Sequence, residues 1–259
     1  MRYKILSLSV IIFMIIVPAF ALTGDDVINK IDSNMIFGTA RFEASMIIHI
    51  GDEVRTKKML MLEKGRTDAF MEFTYPARDR GVKYLKIEDN MWIYMPSVEK
   101  SIKIAGHMLR QSMMGSDFSY EDALESSKLR EKYTSTLVGE EKISSSYPQG
   151  GKIFKTQYDC HVVDLIAKVQ NVTYYKRTIW VDKKTFVPVK EALYAKSGKM
   201  LKVQTMDNIK QYGVRNYPTY YTIKDLLRKD SVTEMFIEKA EFDIILPGKV
   251  FTQENLLKK

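Results

Sequence analysis

Apolar and polar residues alternate along most of this chain, in short runs separated by turn residues. Ala40, Phe42, Ala44, Met46, Ile48 and Ile50 alternate with Arg41, Glu43, Ser45 and His49. A period of two puts one set on each face of a strand, so the run predicts a half-buried strand. Gly51-Asp52 then predicts a turn, and Val54 to Glu63 a second strand. A third runs from Ala69 to Tyr75 and ends at Pro76; a fourth from Val82 to Glu88 follows Gly81. Gaps this short predict antiparallel hairpins. The alternation resumes late in the chain as Ser135–Lys142, Gln157–Val169, Thr173–Val181, Val187–Ala195, Met200–Ile209, Thr219–Leu226 and Ser231–Phe242. The turns between them carry Gly, Pro, Asp and Ser.

Two segments follow a helical period instead. Val27, Ile28, Ile31 and Met35 share one helical face, and Thr23 and Asp26 have capping-box spacing. Ser119 to Lys132 predicts a second helix. Ser119 stands at its cap and Asp122 three residues on, with acids at the start and Lys128, Arg130 and Lys132 at the end.

The stretch from Met91 to Phe118 fits neither pattern. Met91, Ile93 and Met95 point one way and Trp92 and Tyr94 the other, so both faces of this strand are apolar. Such a strand lies between two layers, or one of its faces lines a cavity. Lys100 to Ile104 alternates again. Ile104, Ala105, Met108, Leu109 and Met113 then share a helical spacing that fits a short amphipathic helix stopped by Gly115; Gly106 and the serines fit a loop equally well. Met is flexible and polarizable, so Met108, Met113 and Met114 suit either core gaps or a surface that fits several apolar partners.

Composition changes this picture in three ways. Arg2 and Lys4 precede an apolar run to Phe20, and Ala19-Phe20-Ala21 is a cleavage pattern, so residues 1–21 read as a signal peptide. Residues 22–259 then form one exported domain without linker or repeat, long enough to bury a core unaided. A single cysteine, Cys160, allows no internal disulfide. The formal net charge is +8, or +6 without Arg2 and Lys4, with both signs interspersed; an exported chain with no recognised nucleic-acid motif is no nucleic-acid binder.

Catalytic chemistry is missing from the sequence pattern. His49, His107 and His161 pair with nothing at metal-ligand spacing. No nucleophile elbow, phosphate-cradling glycine loop or zinc-protease motif occurs. No catalytic residue, metal or cofactor is expected. A sheet curved around helices can instead leave an apolar hollow, and each methylene buried there contributes about 0.8 kcal/mol.

Several motifs resemble one family. Tyr75-Pro76-Ala77-Arg78-Asp79-Arg80-Gly81-Val82 with Tyr84-Leu85, Met91-Trp92-Ile93-Tyr94-Met95-Pro96 and Ile179-Trp180-Val181-Asp182 are similar to stretches of the LolA-like outer membrane lipoprotein-sorting proteins. So are Phe251-Thr252 and Asn255-Leu256. The most specific match is Met114-Gly115-Ser116-Asp117-Phe118-Ser119-Tyr120-Glu121-Asp122; Ala123 departs from the Leu that usually follows. The resemblance implies an α+β fold of mostly antiparallel strands, a half-open barrel of about eleven with helices plugging its concave side. It also implies a periplasmic location, and that Asp117 and Ser119 cap the helix while Phe118 anchors the segment before it.

The leading expectation is a periplasmic carrier of lipids or lipid-modified proteins, with an inner-membrane transporter complex and the outer membrane as candidate partners. Phe42, Met46, Trp92, Tyr94, Met108, Leu109, Met113, Met114 and Phe118 are its candidate cavity and flap residues. A second expectation is a non-catalytic envelope module that senses stress or docks on an export complex. A third, a lipid-modifying enzyme, has no catalytic constellation behind it.

Overall fold

A computed structural model describes residues 22–125, 129–170 and 172–258; the expected leader lies outside the described residues. The chain opens with helix α1 (Gly24–Met35) and six strands: β1 (Thr39–Ile50), β2 (Glu53–Lys64), β3 (Asp68–Tyr75), β4 (Lys83–Ile87), β5 (Asn90–Met95) and β6 (Lys100–Ile104). After two 3-10 turns come the short helices α2 (Tyr120–Glu125) and α3 (Leu129–Lys132). Seven more strands follow: β7 (Tyr133–Gln149), β8 (Lys152–Ala167), β9 (Lys176–Asp182), β10 (Pro188–Tyr194), β11 (Met200–Tyr212), β12 (Arg215–Asp225) and β13 (Ser231–Phe242). Helix α4 (Gln253–Leu257) closes the chain.

The strands form one antiparallel sheet of two meanders, β6 to β1 and β13 to β7, joined where β1 pairs with β13. Thirteen strands pair where the resemblance implied about eleven, the short β4, β5 and β6 among them. The sheet is not closed: β6 and β7 are its free edges. Each edge is guarded in its own way. β6 is short and carries Lys100 and Lys103; β7 is interrupted by a register shift at Gly139 and exposes Glu140, Glu141 and Lys142. Among the described residues no helix is long and apolar enough to cross a membrane.

One segment differs from the sequence expectation. The helix expected at Ser119 to Lys132 is seen as Tyr120–Glu125 and Leu129–Lys132, with 126–128 outside the described residues. The strands expected at Ser135–Lys142 and Gln157–Val169 are parts of one long hairpin that turns at Gly150-Gly151. Its outer half, rich in Ser and Gln, lacks the apolar alternation that signals a strand. It is held by backbone pairing and by contacts to other strands: Tyr158 Oη donates to Asp207 at 2.6 Å, and the Tyr147 ring lies 6.3 Å from that of Tyr220. Under the hairpin, Ile143, Tyr158, Cys160 and Val189 form a small buried cluster. Burial pushes the Cys160 thiol up to about 12, so it behaves as an apolar filler.

Helix α1 lies across the opposite face. Its start is a capping box: Asp26 N donates to Thr23 Oγ1 at 3.2 Å, and Thr23 N to Asp26 Oδ2 at 2.9 Å. Val27, Ile28 and Ile31 pack on Tyr133, Val163, Leu165, Ile179 and Val181. Gly24 is needed for this approach, since a Cβ there would lie 2.8 Å from Thr136 N. The far end is tied down by Arg215, which donates to Asn34 O at 3.0 Å and to Ile36 O.

Candidate functional site

Strand alternation sends one set of side chains from each meander toward α1, and a strip of methionines faces inward. Met46 comes from β1, Met59 and Met61 from β2, and Met71 from β3. Met206 and Met235 reach in from β11 and β13, and Met35 from α1. With Ile31, Ile179, Leu193 and Ile223 they line a cavity of about 330 Å³. A second hollow of about 320 Å³ adjoins it and shares Asp32, Met35, Met71, Met113 and Ala123. Strands β3 and β9 both line the first cavity although seven strand spacings separate them, roughly 34 Å in a flat sheet. The sheet therefore curls around the cavity. Unbranched thioether side chains can refill such a space in many shapes.

The connection from β6 to α2 lies over this space. Residues Gly106–Arg110 form a 3-10 turn with no buried residue. Met113–Gly115 form a second, in which Met113 is buried, and Met114 and Gly115 have φ of 55° and 82°. Beyond it the chain is held by polar contacts. Met113 N donates to Phe118 O at 2.8 Å, and Ser116 Oγ to Met113 O at 2.7 Å. Arg228 on the β12–β13 turn donates to Ser116 O, and to Gly115 O at 3.1 Å.

Asp117 is 1% exposed, and its role differs from the helix cap that the resemblance implied. Its carboxyl accepts from Ser231 Oγ at 2.8 Å, Thr233 Oγ1 at 2.7 Å and Asp225 N at 3.2 Å, so it pins the connection to β12 and β13. The cap belongs to Ser119 alone: Asp122 N donates to Ser119 Oγ at 3.3 Å, and Ser119 N to Asp122 Oδ2 at 2.7 Å. Asp122 also accepts from Lys202 Nζ at 2.6 Å and from Tyr174 Oη at 2.5 Å.

The other polar margin is built differently. Glu63, Arg66, Asp68 and Lys86 line the second hollow together with Asp32 of α1. Arg66 pairs with Asp32 at 2.5 Å, and Lys86 donates to Ala123 O at 3.0 Å. The Glu63 side chain makes no hydrogen bond or ion pair among the described residues. Burial pushes its carboxyl up to about 7, only partly offset by the charge of Lys86. Burial likewise raises the phenols of Tyr217 and Tyr221, which face Glu63 from β12. In the first cavity, Arg177 and Glu191 form a buried pair at 3.0 Å, with the guanidinium against the rings of Tyr133 and Tyr174.

Of the residues expected from sequence, Met46, Met113 and Phe118 line the first cavity. Met108, Leu109 and Met114 pack against the buried cluster that contains Met46 and Met113. Phe42 sits in that cluster too, in an aromatic group with Phe37, Tyr217 and Phe242, and lines neither cavity. Trp92 and Tyr94 lie elsewhere, with Phe70, Leu85, Val250 and Leu256. The doubly apolar strand β5 is thus a strand between two layers. Met91 and Ile93 face the methionines, while Trp92 and Tyr94 face the segment that leads into α4. Sequence reasoning missed Met35, Met59, Met61, Met71, Met206 and Met235. Their signal was the 15 methionines of the chain, six of them at inward positions of strands. Among the described residues no group of three or more His, Cys, Asp or Glu could hold a metal ion.

Comparison with solved structures places this geometry. An outer membrane lipoprotein-sorting protein domain of Vibrio parahaemolyticus superposes with a TM-score of 0.77 at 23% identity, over 91% of this chain and 98% of that one. A DUF1329 family protein from Desulfovibrio piger gives 0.79 at 23% identity, over 90% and 97%. A LolA superfamily protein from Nitrosomonas europaea gives 0.72 at 23% identity, over 91% and 100%. No curated protein matches the sequence. A family model described as "Uncharacterized protein" matches residues 65–258. The chain belongs to that family, and its open antiparallel sheet is the fold of the LolA-like outer membrane lipoprotein-sorting proteins.

Proposed function

We propose that residues 22–259 form a single-domain periplasmic carrier, released from a leader at 1–21, that encloses acyl chains of lipids or of lipid-modified proteins. The observation that carries this reading is the methionine-lined cavity between the curled sheet and α1. An acyl chain needs no hydrogen bonds, only displaceable apolar surface, and each methylene it buries contributes about 0.8 kcal/mol. The 105–119 connection, with Met108, Met113, Met114 and Phe118, acts as a flap over the ligand. Its carboxyl-terminal part is pinned by Asp117, and its amino-terminal part swings. Transfer involves binding and release with no covalent step.

The description of the Vibrio protein as lipoprotein-sorting supports lipid-modified proteins as one cargo class, with the inner and outer membranes as donor and acceptor. Organic extraction of the protein purified from a periplasmic fraction, followed by mass spectrometry, tests the reading. The expected result is a stoichiometric lipid or an acylated protein, reduced in a Met206→Asp variant that circular dichroism shows to be folded. A protein free of lipid that takes up no fluorescent fatty acid would overturn it.

A further inference from the structure

The β7–β8 hairpin is much longer than its neighbour. Strand β9 pairs with β8 only from Cys160 to Ile166, so the eight residues from Lys152 to Asp159 reach past the end of β9. At about 3.3 Å per residue this is roughly 26 Å of two-stranded ribbon. Its root is accounted for by Tyr158, Asp207 and the cluster around Cys160. Its tip is not. Ile153 is 64% exposed and Phe154 43%, both at the start of β8 just after the Gly150-Gly151 turn. The Phe154 ring stacks on Tyr147 at 5.4 Å, Tyr147 in turn lies 6.3 Å from Tyr220 of β12, and Ile153 stands opposite Pro148 on the other face.

The charges at the tip have one sign. From Ile143 to Tyr158 the chain contains Lys152 and Lys155 and no Asp or Glu. Both lysines are exposed, and neither is in an ion pair among the described residues. A soluble hairpin gains nothing from holding Ile and Phe in water. At a bilayer, aromatic and aliphatic groups enter the interface while lysines reach the phosphates. Each lysine near an anionic membrane surface contributes about 1 kcal/mol, and the +6 formal charge that remains without Arg2 and Lys4 acts in the same direction.

From this we propose that the tip of the β7–β8 hairpin, Tyr147 to Lys155, docks the protein on the surface of an anionic lipid bilayer. Ile153 and Phe154 insert shallowly, and Lys152 and Lys155 contact lipid phosphates. The hairpin roots in the sheet edge beside β9, whose Arg177 and Ile179 line the cavity. The site is separate from the cavity, so it is independent of what the cavity holds.

Flotation of the purified protein with vesicles tests this. The protein is expected to float with vesicles of phosphatidylcholine and phosphatidylglycerol, less so at high salt, and weakly with phosphatidylcholine alone. Ile153→Ser with Phe154→Ser, and separately Lys152→Glu with Lys155→Glu, should each lower vesicle affinity at least about tenfold. Melting temperature and the lipid extracted from the cavity should stay unchanged in the lysine variant. A Leu226→Ser/Leu227→Ser variant, altering exposed leucines at the β12–β13 turn, should float like the parent. The proposal falls if the parent does not float, if both hairpin variants float like it, or if the leucine variant alone loses binding. Loss of extractable lipid with flotation intact would count against the carrier reading and leave the docking site standing.

Discussion

The two polar margins of the methionine cavity are built on opposite principles. At one, Asp117 and Asp122 are saturated with donors: two hydroxyls and an N–H on the first, a lysine, a tyrosine and the Ser119 N–H on the second. At the other, Glu63 is half-buried beside Lys86, Tyr217 and Tyr221 with no hydrogen bond among the described residues. A saturated carboxyl fixes geometry, because every competing arrangement leaves a buried donor unpaired. A desolvated carboxyl without donors answers to pH instead. One margin holds the connection in place; at the other, burial raises the carboxyl of Glu63.

The largest effect is expected at the saturated margin. Asp117→Ala leaves Ser231, Thr233 and Asp225 N without their acceptor and should cost about 3 kcal/mol or more in urea unfolding. Hydrogen exchange should show the amides of 116–119 losing protection in this variant.

Glu63 comes next. The folded chain holds its proton up to about pH 7, whereas the unfolded chain releases it near 4.5. Between these values the folded state binds the extra proton, so stability falls as pH rises through the window, by on the order of 3 kcal/mol. Glu63→Gln should abolish that slope in denaturant titrations across the window. A variant that keeps the slope would place it elsewhere, and Asp32, Arg66, Asp68 and Lys86 are the other charged groups at this margin.

Smaller effects sharpen the contrast. Tyr174→Phe removes one bond to Asp122 while Lys202 remains, and should cost about 1 kcal/mol. His107→Ala with Arg110→Ala, in the exposed turn of the connection, should change stability by less than about 0.5 kcal/mol.

Local signals carried much of this fold into the sequence. The alternation at Ala40–Ile50 marks β1 because one face is wet, and the Ser119–Asp122 capping box needs only four residues to be seen. The role of Asp117 was hidden because its hydroxyl partners lie 114 and 116 residues away. Trp92 and Tyr94 looked like cavity residues because periodicity separates two faces without saying which covers what. The answer depends on where Val250 and Leu256 return. The outer half of the β7–β8 hairpin was illegible as strand because it buries little, and its serines carry no hydrophobic period. The methionines were visible as a number but not as a surface, since the curl that gathers β3 and β9 around one space is a property of the whole sheet.

Titration with a fluorescent fatty acid measures the central claim most directly. The account predicts saturable binding near one site per chain, displaced by unlabelled fatty acid and lost in a Met206→Asp variant that circular dichroism shows to be folded. Binding that does not saturate, or that survives Met206→Asp unchanged, would contradict a ligand in the methionine cavity.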